Sequence, residues 1–113
     1  MIAVSTYIYP GLKLRLDISL ESLLHECCSK ARISVADIKG RSRKREIVTV
    51  RHVFCYLATE QTEKTLEAIG NTINRNHATV VHSRLKAEEF IETKDKQFMD
   101  LLNKITNNSD GKQ

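Results

Sequence analysis

Between Lys39 and Arg51 stand Lys39, Arg41, Arg43, Lys44, Arg45 and Arg51 against the single acid Glu46, so six cations less one acid leave this stretch at +5. The whole chain carries a formal net charge of only +4. Positive charge packed this densely suits a polyanion, because every Lys or Arg set on a phosphate releases condensed counterions. Charge alone describes a solvated basic loop equally well.

Other reactive side chains form no comparable constellation. Cys27, Cys28 and Cys55 make no CxxC pair and no Cys/His cluster with metal-ligand spacing, so a zinc site has no support. Their odd number and the adjacent pair argue against a secreted disulfide framework, and they read as reduced core residues. Cys55 falls in a helix beside core positions, without the electropositive pocket that activates a thiolate. His25 reads as a boundary residue of its helix, His52 as lying on the solvent side of another, and Glu88 and Glu89 as a solvated face. No Gly-x-x-x-x-Gly-Lys-Ser/Thr loop is present to cradle a nucleotide. Neither a cofactor, a metal nor an enzymatic activity is expected.

The elements that carry the basic stretch follow from composition and periodicity. At 113 residues, with 41% hydrophobic and 28% charged side chains, the chain has room for one domain and enough apolar residues for one core. No apolar run approaches the roughly 20 residues of a membrane helix, and the start lacks a secretory pattern, so a cytoplasmic location is expected. Residues 1–16, with Pro10 and Gly11, read as an extended lead-in. Leu20, Leu23, Leu24, Cys27, Cys28 and Ala31 then share one face of a helix that Ser19 can cap. Ser34 opens a short helix through Ile38, and Gly40 is suited to close it in a left-handed conformation. Val50, Val53, Phe54, Leu57 and Ala58 predict a central helix capped by Thr49. Thr65 leads a short helix through Leu66, Ile69 and Ile73, with Gly70 where a neighbouring helix can approach closely. After a turn at Asn74 and Arg75, Asn76 caps a long helix from His77 that buries Val80, Val81, Leu85 and one of Phe90 and Ile91. The pattern slips near Thr93 to Lys96 and resumes at Phe98, Leu101, Leu102 and Ile105. Residues 107–113 read as a disordered tail. This is an all-α bundle of about six helices.

A short helix, a tight turn and a helix opening with polar residues make a helix-turn-helix, whose second helix reads bases with its first turn. By pattern alone Leu66 to Ser83 is more often an ordinary core hairpin. TLEAIGNTINRNHATVVHS (65–83) resembles the signature of the C-terminal DNA-binding domain of the bacterial replication initiator DnaA, where a helix ending in Ile-Gly leads to Arg-Asp-His-Thr-Thr-Val-x-His. GRSRKREIVTVRHVFCYLATEQT (40–62) resembles that domain's basic loop and following helix at matching spacing, and the likeness covers roughly residues 17–106. The resemblance implies a Trp-repressor-like helix-turn-helix in an all-α bundle. It also implies Arg43 in the minor groove, where a narrow groove concentrates negative potential, and Asn76, His77 and Ala78 at bases in the major groove. Phosphate contacts fall to Arg51, Thr79 and His82, with Arg75, Arg41, Lys44 and Arg45 close by.

The chain departs from that pattern. Asn76 stands where the family has Asp, and Ala78 where it has Thr. Aspartate only accepts, as from a cytosine amino group, whereas asparagine also donates and can pair with adenine, so a different target sequence is implied. The turn is one residue shorter than the family's Phe-Gly-Gly, with Ile73 and Asn74 in its place, and the initiator's nucleotide-binding part has no counterpart. The expectation is a stand-alone duplex-DNA binder, Met1 and its lead-in favouring this over a fragment, in regulation of replication or transcription. The competing expectation is a module that binds a replication or phage protein with a decayed DNA face. RNA has no aromatic stacking platform to meet it.

Overall fold

The computed structural model describes residues 19–106, which form six helices and no strand: α1 (Leu20–Ala31), α2 (Val35–Lys39), α3 (Arg45–Gln61), α4 (Leu66–Thr72), α5 (His77–Thr93) and α6 (Lys96–Thr106). The expected lead-in over 1–16 and tail over 107–113 lie outside the described residues.

Helix starts follow the side chains that can satisfy the first unpaired amides. The hydroxyls of Ser19, Ser34 and Thr65 accept from the amides of Ser22, Asp37 and Ala68, each at 3.0 Å. The slip near residue 94 is a true break: Lys94 is left-handed (φ 57°), and the Asp95 carboxylate accepts from the Phe98 amide at 3.0 Å to restart the chain as α6. Gly40 ends α2 in extended geometry (φ −83°), against the left-handed conformation expected. A Cβ there would lie 3.1 Å from the Ala36 carbonyl oxygen, so crowding rather than φ is what suits glycine to the position.

Helix α3 begins several residues before its expected cap. Thr49 lies inside it, buried, with its hydroxyl donating back to the Arg45 carbonyl at 2.8 Å. The true cap, Lys44, makes no side-chain capping bond, which is why no capping residue in the sequence marks this start. Arg45 therefore belongs to a helix, and the basic loop shrinks to residues 40–44.

Helix α3 packs on each of the other five. Its inner face places Val50, Val53, Phe54 and Leu57 in a core with Leu24, Ile38, Ile69, Ile73, Val80 and Phe98. Fully burying such a side chain contributes about 1.5–3 kcal/mol. Cys27, Cys28 and Cys55 are buried free thiols. Burial pushes the Cys28 thiol up to about 11 and that of Cys55 to about 12.

Helix α5 corrects another expectation. Val80 is buried, Phe90 and Ile91 are half-buried, but Val81 is 36% and Leu85 54% exposed. The inner face of α5 is completed by Ser83 and Ala87, small residues that let α5 lie close along α3. A search for large apolar residues passes over them. His52, expected on the solvent side, is half-buried between the two helices, its ring 6.2 Å from that of Phe90.

Candidate nucleic-acid interface

The turn between α4 and α5 is tighter than any side chain allows. The Arg75 amide donates to the Gly70 carbonyl at 2.8 Å, and a Cβ on Gly70 would sit 2.5 Å from the Arg75 carbonyl oxygen. It is the turn, rather than a neighbouring helix, that crowds Gly70. Asn74 supplies the left-handed residue (φ 63°) that reverses the chain, within the range asparagine tolerates.

Beyond the turn, Asn76 caps α5. Its Oδ1 accepts from the Thr79 amide at 2.9 Å and from the Thr79 hydroxyl at 3.1 Å. Asn76, His77, Ala78 and His82 are exposed, and Thr79 is half-buried. The three residues expected at bases thus lie together at the open start of α5. With Oδ1 held by the cap, however, Asn76 cannot offer adenine the paired donor and acceptor expected of it.

The basic loop is fastened to this turn by two arginines that were expected at phosphates. Arg51 is only 8% exposed. Its Nε donates to the Ile38 carbonyl at 2.9 Å, Nη1 to Ser42 at 2.8 Å, and Nη2 to Asp37 and Gly40, both at 3.1 Å. Burial, and then the neighbouring Arg75 charge, lower the pKa of its guanidinium. Arg75 reaches from the other side: its Nη2 donates to the Gly40 carbonyl and its Nη1 to Lys39, Ile73 and Asn74. Both guanidiniums thus have most of their donors on backbone carbonyls, and Arg51 is enclosed by the loop it holds.

Arg41, Arg43, Lys44 and Arg45 are exposed around this framework. Lys39, Arg41, Ser42, Arg43, Arg51, Asn74 and Arg75 line one polar cleft of about 360 Å³. Loop and turn therefore share one electropositive recess. Lys44 and Arg45 stand at the start of α3, where the helix dipole already presents positive potential and a cation is locally unfavourable. A local rule broken in this way is the mark of a functional site more than of a stabilising one. Lys39 joins the recess as the residue that opens the charged run, and Asn74, expected only as part of the turn, joins it as the turn's left-handed residue.

Among the described residues no group of His, Cys, Asp and Glu could hold a metal ion, and no helix is long and apolar enough to cross a membrane.

The family model of the bacterial dnaA protein helix-turn-helix matches residues 20–86. The chain is similar to the chromosomal replication initiator protein DnaA of Thermomicrobium roseum, 36% identical over 83 residues, covering 73% of this chain and 18% of the relative. It is also similar to that of Wolbachia pipientis, 33% identical over 89 residues (78% of this chain, 19% of the relative). With the protein of the same name from Desulfatibacillum aliphaticivorans it shares 43% identity over 56 residues (50% and 12%). The chain spans less than a fifth of the length of these relatives.

Proposed function

Because the chain belongs to the family of the bacterial dnaA protein helix-turn-helix, we propose that it binds double-stranded DNA in two adjacent grooves at once. The start of α5, with Asn76, His77 and Ala78, enters the major groove and reads bases. Arg43 enters the neighbouring minor groove, while Arg41, Lys44, Arg45 and His82 take phosphates; Thr79, expected there too, has its amide and its hydroxyl donating to Asn76 Oδ1 and acts through that cap. Arg51 and Arg75 act chiefly as positioning residues that fix the loop against the turn. The observation that carries this reading is the carbonyl of Gly40, held by Arg51 and Arg75 together, which joins the loop to the start of the reading helix. Sequence preference, and a place in the control of replication or transcription, follow as parts of the same proposal.

A second reading, a module that binds a protein partner, draws on Val81 and Leu85, large apolar residues one turn apart and exposed on α5. Ionic strength separates the two. A DNA binder loses affinity along a log–log slope of about 0.9 per phosphate neutralised, and a mainly apolar interface does not.

The test is fluorescence anisotropy with short duplexes, including variants of the sequence that initiators bind, at two salt concentrations. Salt-sensitive binding that prefers some sequences and falls in Arg43→Ala and His77→Ala is expected. Absence of binding at low salt by the folded protein overturns the proposal.

A further inference from the structure

Asn76 is oriented unambiguously. Its partner at 2.9 Å is the backbone N–H of Thr79, a group that can only donate, so the side-chain oxygen must face the helix. The Thr79 hydroxyl adds a second donor to the same oxygen. The amide nitrogen then faces outward on an exposed residue, with no hydrogen-bond partner among the described residues.

An aspartate in the same cap would hold the Thr79 amide with one oxygen and turn the other outward as an acceptor. Asparagine keeps the cap and puts an NH₂ donor in that place. The exchange reverses the hydrogen-bonding polarity of one point on the reading surface and leaves its backbone frame untouched, since Asn and Asp cap helices about equally well.

We infer that Asn76 selects a guanine at the base facing it, where an aspartate selects a cytosine. In the major groove cytosine presents an amino donor and guanine presents two acceptors, N7 and O6, side by side. Adenine sets its own amino group beside N7 and so meets an outward NH₂ with a like donor; thymine offers a single acceptor. The recognised site therefore carries its G·C pair inverted at this one position, relative to the site of an otherwise identical protein with aspartate.

The inference rests on the proposed DNA binding, and selection from a pool of randomised duplexes tests the two separately. The wild type is compared with Asn76→Asp and Asn76→Ser, both of which retain a capping oxygen and fold. The expected result is a guanine enriched at one position by the wild type, changed to cytosine at that position alone by Asn76→Asp, with a preference of about tenfold in each case. Asn76→Ser flattens the preference there. If the wild type binds duplexes but Asn76→Asp selects the same base at every position, the inference is overturned and the DNA-binding proposal stands. If the folded wild type retains no duplex at low salt, both fall.

Discussion

Arg51, from the middle of α3, and Arg75, from the turn before α5, donate to one and the same acceptor, the carbonyl oxygen of Gly40. Two cations on one carbonyl are held in place against their mutual repulsion, because each also donates to further carbonyls of the chain. The arrangement fixes a short basic loop that has no regular structure of its own.

Arg51→Met should lower stability by about 2–3 kcal/mol, the range for losing hydrogen bonds from a charged group and leaving their acceptors unpaired. Urea denaturation measures it. Arg51→Lys recovers little, since an ammonium cannot reach the spread of acceptors that a guanidinium does. An arginine serving only as a phosphate contact gives the opposite pattern: unchanged stability and a salt slope smaller by about 0.9.

Arg43 is exposed. Arg43→Ala should leave the thermal midpoint within about 4 °C of the wild type, as surface changes stay within about 0.5 kcal/mol, yet weaken duplex binding about tenfold. Arg43→Lys should restore only part of that affinity if the side chain sits in a narrow minor groove, where guanidinium is favoured. Calorimetry and anisotropy on the same samples check both.

Gly70→Ala sets two effects against each other. Alanine gains about 1 kcal/mol in helix propensity, but its Cβ would lie 2.5 Å from the Arg75 carbonyl oxygen, a backbone atom that cannot swing away. Overpacking of this kind costs about 1–3 kcal/mol, and against backbone the upper end applies. A net loss of about 1–2 kcal/mol is expected on thermal melting, with a larger fractional loss of DNA affinity because the turn itself is displaced.

His52 is held well below the usual imidazole range, at about 4 against 6.5, first by burial and then by His82, Lys86 and Arg51. Its Nδ1 is buried without a hydrogen-bond partner among the described residues. Between these values the unfolded chain binds a proton that the folded one does not, so stability is full above about pH 6.5 and declines as pH falls toward 4. Urea midpoints at pH 7.5 and pH 5 should differ less in His52→Gln than in the wild type; an equal difference would place the titration elsewhere.

Much of this molecule was legible in its sequence, for identifiable reasons. Ser19, Ser34, Thr65 and Asn76 announce helices because their side chains are the caps. The loop, the turn and the start of α5, the parts of the proposed interface, were legible as elements. The first turn of α3 was hidden because Lys44 caps nothing, and the inner face of α5 because Ser83 and Ala87 are small. The task of Arg51 was unreadable for a different reason: its acceptors are main-chain carbonyls of residues 37 to 42, and a sequence does not reveal where carbonyls point.

The cations at the start of α3 give salt two opposite effects on one protein. Lys44 and Arg45 sit at the positive end of their own helix, with Arg41 and Arg43 in the loop just before them, so the free domain gathers like charge there against the single acid Glu46 of the first turn. Added salt screens the repulsion among these charges and should raise the melting temperature of the free protein, while the same salt weakens its hold on a polyanion. The fold is therefore least comfortable under the conditions in which the interface binds best.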